Sequence, residues 1–119
     1  MHKAGELLCH YQVLLELYTE LESVSLDICS SLEDGRPLIG IVGTLGEKRR
    51  IVERIEQESQ AIAALKKTVL EHNLISDGER LQVRNAEDSL TDLVYRVVEQ
   101  GEKTFELMAK QGVNVSRRE

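Results

Sequence analysis

LIGIVGTLGEKRRIVERIEQESQAIAALKKTVLEHN, residues 38–73, is the stretch on which the fold turns. It follows Pro37, the only proline of the chain, so no later residue forbids a continuous helix. Its apolar residues Leu38, Ile41, Val42, Leu45, Val52, Ile55, Ile62, Leu65 and Val69 recur mostly at spacings of three and four. That is one stripe of a long α-helix, flanked by Lys48, Arg49, Arg50, Arg54, Lys66 and Lys67. A helix of that span is about 50 Å long at about 1.5 Å per residue. Such a rod cannot bury its stripe alone, so the segments on either side must cover it, with this middle helix as the spine.

Gly40, Gly43 and Gly46 sit in its first turns, where each glycine costs up to about 1 kcal/mol relative to alanine. They mark either an irregular start to the helix or a close approach by another backbone. GIVGTLGEK matches neither GxGxxG nor GxxxxGK[ST], and no strand pattern precedes it, so a phosphate-binding loop is the weaker interpretation.

Working outward, Leu7, Tyr11, Leu14, Tyr18, Leu21, Ile28 and Leu32 step by three or four, with Ser25 standing in for one apolar place. Leu8, Leu15, Leu17 and Val24 widen the stripe, which predicts contact with more than one neighbour. Glu33-Asp34-Gly35-Arg36-Pro37 is turn chemistry, and a connection this short folds the second helix back antiparallel on the first. Beyond Asn73 the pattern breaks again. Ser76 and Glu79 have the spacing of a capping box, so a third helix begins near Asp77. Its stripe runs Val83, Ala86, Leu90, Val94, Val97, Gly101, Phe105 and Met108, widened by Leu93 and Val98. Gly112 is placed as a helix-ending residue, leaving 113–119 as a frayed polar tail. The expected fold is all-α: a single domain of three long antiparallel helices at about 4–33, 37–72 and 77–111, a helical hairpin extended into a coiled-coil bundle.

A chain of 119 residues leaves no room for a second domain. With 41% hydrophobic but only 3% aromatic residues, its core must be aliphatic. A net charge of −6 argues against nucleic acid as a partner. Residues 1–34 hold seven acids and one base, and residues 36–72 five acids and seven bases, an asymmetry that favours docking of the first helix on the second. Cys9 and Cys29 fall about 30 Å apart on one helix and cannot bridge within the chain, which suits a reducing compartment. No apolar run is long enough to span a membrane and no signal-peptide pattern opens the chain, so a soluble cytoplasmic protein is expected.

Candidate chemistry is sparse. His10 lies one turn from Glu6, half of a metal site at most, and a solvated pair is the simpler expectation. His72, near the end of the second helix, suits the macrodipole there. His10-Tyr11-Gln12-Val13-Leu14 does not match the H-x-x-K-G of phosphotransfer domains. Arg49, Arg50 and Arg54 are expected as a charged flank, and Glu16, Glu20, Glu22, Glu53, Glu56 and Glu58 as solubilising faces. No enzyme is expected, and no catalytic, cofactor or metal site is assigned. The expectation is protein binding, on the third helix, whose Leu90, Leu93, Val94, Val97, Val98, Phe105, Leu107 and Met108 surround much of its circumference. Val94→Asp or Val97→Asp should then abolish binding and leave helicity intact. A homodimer or a closed intramolecular core would use the same residues.

The chain resembles the small flagellar export chaperones of the FlgN/FliT kind. The likeness lies in a leucine-rich acidic first helix (LLELYTELESVSLDI), a short turn (LEDGRPL), a second helix with an EKRRIVERIEQ stretch, and an apolar third helix. Length, acidity and aromatic poverty also fit, whereas Gly40, Gly43 and Gly46 depart from that pattern. The resemblance implies a cytoplasmic, non-enzymatic chaperone without a cofactor, which keeps a hook–filament junction or filament-cap protein export-competent before type III secretion. It places client and export-apparatus contacts on roughly Leu90–Met108. The rival expectation is a homo-oligomeric coiled-coil scaffold or regulatory adaptor with no secreted client.

Overall fold

The computed structural model describes residues 3–118, with the side chains of 3–110 apart from Leu38. It contains α1 (Lys3–Glu33), a short 3-10 turn (Leu38–Ile41), α2 (Val42–Glu71) and α3 (Asp77–Arg118), packed as an up-down-up helical bundle. All three expected helices are present.

Two left-handed residues end the first two helices. Gly35 has φ 78° at the close of α1, where Gly35 N–H donates to Leu32 and Arg36 N–H to Ser31. Asn73 (φ 50°) does the same for α2, with donations from Asn73 to Leu70 and from Leu74 to Val69. Both are Schellman motifs, which satisfy the carbonyls that a helix end leaves unpaired. At the start of α3 the capping box forms as expected: Ser76 N–H donates to Glu79 Oε1 (3.0 Å) and Glu79 N–H to Ser76 Oγ (3.2 Å).

α2 starts later than its apolar pattern implied. Residues 38–41 form the 3-10 turn, in which Gly40 N–H donates to the Pro37 carbonyl at 2.9 Å. No heavy atom would lie within 4 Å of a Cβ placed on Gly40, Gly43 or Gly46. The glycines therefore accompany an irregular helix start, and no second backbone approaches them.

The middle helix is not the spine. α1 is the element on which both others pack, burying Ala4, Leu7, Tyr11, Leu14, Leu17, Leu21, Val24, Ser25, Ile28, Cys29 and Leu32. α2 buries only Ile51, Ile55, Ile62 and Val69. The physical reason is stripe width, because α1 is apolar over enough of its circumference to face two partners and α2 is not. Charge pairing also differs from expectation. The acids of α1 meet α3, through Glu22–Arg96 (2.7 Å) and Glu33–Lys103, while its polar link to α2 is His10 Nδ1 to Glu58 Oε2 at 2.6 Å. His10 thus pairs across helices rather than with Glu6, and Glu22 and Glu58 are interhelical partners rather than purely solubilising acids. Arg49, Arg50 and Arg54 are exposed as expected.

α3 does not stop at Gln111. It runs through Gly112 to Arg118, so the expected tail at 113–119 is helical up to that residue, and Glu119 lies outside the described residues. Nothing between Gly112 and Arg118 is a proline, and a glycine weakens a helix by about 1 kcal/mol without ending it. Thr104 lies level with Cys29, their side-chain atoms 2.9 Å apart, so α3 draws level with the end of α1 near Met108 and runs on. The molecule measures 63 × 20 × 18 Å with a radius of gyration of 18.6 Å. A compact chain of this length would have about 13–14 Å. In so thin a rod each helix keeps a large solvent face.

Candidate protein-binding face

Helix α3 has two apolar sides, and the residues expected to form one site divide between them. Val83, Ala86, Leu90, Leu93, Val97, Thr104, Leu107 and Met108 face inward: Val83, Leu93 and Thr104 are buried, and the others pack half-buried against the core. Leu93 is 7% exposed. Of the expected binding residues, Leu90, Leu93, Val97 and Met108 therefore belong to the core side, and so does Leu107. Val94 (37% exposed), Val98 (50%) and Phe105 (73%) face solvent. The expected stripe steps by four, three, four and four from Leu90 through Val94, Val97 and Gly101 to Phe105. The real core seam steps from Leu90 to Leu93, Val97 and Thr104, and the polar Gln100 and Thr104 disguise it.

The binding test changes accordingly. Val97 packs on the core, so an aspartate there would unfold α3 instead of probing an interface. Val98 and Phe105 are the informative positions.

Tyr95, 68% exposed, belongs to the open face and was missed because tyrosine broke no periodicity there. Leu90, Thr91, Val94, Tyr95 and Val98 line a shallow, mainly apolar groove. At its lower end, α3 is tied to α2 by Lys66 Nζ and Glu87 Oε2 at 2.9 Å. Val94, Val98 and Phe105 follow Glu87 at steps of seven, four and seven, which keeps them on the flank of α3 nearest α2. Both helices rise equally per residue, so Val52 of α2, exposed as well, stands level with Gly101. The close backbone contacts of the bundle are those of α1 with its two neighbours. Between α2 and α3, above the Lys66–Glu87 bridge, apolar side chains from both helices stay uncovered.

That bridge closes a polar cluster over the core. Burial raises the Tyr11 phenol above the ordinary tyrosine range, the Glu87 carboxylate raises it further, and Lys66 opposes both. The hydrogen bond to Glu87 holds the Lys66 ammonium protonated to higher pH than usual. Beneath it lies a small cavity walled by Leu7, Val69, Ile75 and Val83, with Arg80 and Arg84 at its rim.

Among the described residues no group of three or more His, Cys, Asp or Glu is placed to hold a metal ion, and no helix is long and apolar enough to cross a membrane. Cys9 is exposed and Cys29 buried, both as free thiols. Comparison with protein-family models, with curated proteins and with solved structures finds no match.

Proposed function

We propose that this protein is a non-enzymatic chaperone that holds an amphipathic helical segment of a client protein on the open face of α3. The client class implied by its sequence pattern is a flagellar junction or cap subunit, kept export-competent in the cytoplasm before type III secretion. The observation that carries this reading is the uncovered row Val94, Val98 and Phe105 beside the exposed Val52, on a chain whose core is already closed by α1. Exposed apolar rows of this length are costly to keep in water unless something covers them in use. A helix laid into the gap between α2 and α3 would complete a four-helix arrangement by coiled-coil-like side-chain packing.

The test is to mix the purified protein with flagellar junction and cap proteins and measure the mass of the eluting species by size exclusion with light scattering. A stable heteromeric complex that Val98→Asp or Phe105→Asp removes, with helicity by circular dichroism unchanged, is the expected result. No complex with any of them, or a homodimer that these substitutions dissociate, would leave the scaffold reading in its place.

A further inference from the structure

The charges beside the open row carry the reading of that face one step further. Asp88, Asp92, Tyr95, Glu99, Glu102 and Glu106 follow one another at steps of four and three, a second row running along α3 directly next to Val94, Val98 and Phe105. All five acids are exposed, and among the described residues no Lys, Arg or His lies within ion-pair distance of any of them. The neighbouring cations of α3 are held elsewhere, Arg96 on Glu22 and Lys103 on Glu33, both towards α1. The helix thus turns Arg96 and Lys103 along its flank to the acids of α1, an apolar row towards α2, and an acidic row outward.

We infer that the open face of α3 binds a basic amphipathic helix of another protein, its apolar residues on Val94, Val98 and Phe105 and its Lys or Arg side chains along the acidic row. This rests on the helix-binding reading above and adds the chemistry of the partner. Three observations select that occupant. The backbone groups of α3 along this row lie in the helix interior and pair within it, so a strand has no edge to pair with and the partner must bring side chains. Val94 to Phe105 spans about three turns, which matches apolar anchors at i, i+4 and i+11 of a facing helix. A second copy is disfavoured, because packing α3 antiparallel on its own counterpart sets acidic row beside acidic row, and in either direction the two chains each carry −6. The same row repels an anionic membrane surface.

The experiment uses the full chain and three synthetic helices that share one apolar face and differ only in flanking residues: lysine, glutamine or glutamate. Affinities are read by fluorescence anisotropy at low and high salt. The lysine helix should bind about tenfold more tightly than the glutamine helix at low ionic strength, and the glutamate helix more weakly than either. The tenfold advantage should shrink towards unity at about 0.5 M salt, where the screening length falls to a few ångströms. Combined Glu99→Lys, Glu102→Lys and Glu106→Lys should reverse the order of the lysine and glutamate helices, and Val98→Asp should weaken all three. Equal binding of the three helices, or preference for glutamate, would overturn the charge inference and leave helix binding intact. Failure of all three to bind, or a homodimer that buries the row, would overturn both.

Discussion

Ser25 occupies an apolar position of α1 at 0% exposure, and its hydroxyl has no hydrogen-bond partner among the described residues. A buried hydroxyl left unpaired costs about 1–3 kcal/mol, and serine is also a poorer helix former than alanine. Ser25→Ala should therefore stabilise the protein by about 1 kcal/mol, raising the melting temperature by about 4 °C in a thermal melt followed by circular dichroism. Cys29, one turn on, is better served, with its sulfur 2.9 Å from Thr104 Oγ1 and 3.7 Å from the Gln100 carbonyl. Tyr11 sets a limit at high pH. Its folded-state pKa is raised above 10.0 by burial and by Glu87, so above about pH 10 the unfolded chain releases a proton that the folded chain retains. Stability is then unaffected at neutral pH and falls as pH rises beyond the ordinary tyrosine value. Lys66, also raised, acts with the same sign: its contribution is complete below about pH 10.5 and is lost as pH climbs through its folded value. Melts of the parent and of Tyr11→Phe between pH 8 and 11 should diverge, with the phenylalanine variant declining less.

At the scale of elements, the glycines of α2 separate two physical causes that a sequence leaves mixed. A glycine required by a close approach or by a left-handed backbone resists substitution; one that merely weakens a helix welcomes it. Gly43 and Gly46 have helical backbones and open space around them. Gly43→Ala and Gly46→Ala should each stabilise by about 0.5–1 kcal/mol. Gly35→Ala, at φ 78°, should destabilise by about 1 kcal/mol. Chemical denaturation of the three variants checks both signs at once. The turn, the capping box and the starts of α1 and α3 were legible because they depend on residues close in sequence, such as Ser76 with Glu79 and Gly35 with Leu32. The end of α3 was not, since Gly112 is compatible with both a stop and a continued helix.

For the whole molecule, the division of α3 into a core side and an open side decides what a substitution does. Val97→Asp puts a charge into the packed seam and should cost several kcal/mol, seen as loss of helicity or a large fall in melting temperature. Val98→Asp, one residue on, should change stability by about 0.5 kcal/mol or less and act only on partner binding. If the two variants behaved alike, the rotation of α3 about its axis would be wrong. The open face of α3 was half legible for this reason: periodicity found a helix rich in apolar residues but could not assign its azimuth while Gln100 and Thr104 held inward positions and Phe105 stood outside.

The amino-acid pattern by itself determined the helical class, the three elements, their antiparallel order, the first turn and the capping box that opens α3. Each of these follows from local periodicity and from backbone preferences of a few neighbouring residues. Only the tertiary structure decided that α1, not the middle helix, is the centre, because that depends on which stripe is wide enough to meet two partners at once. It also decided that His10 meets Glu58 and that Arg96 and Lys103 meet Glu22 and Glu33. Those pairings arise between residues far apart in the chain, through the relative register and rotation of packed helices, which no single stripe encodes. The open row on α3, with its acidic neighbour, emerged from that same rotation.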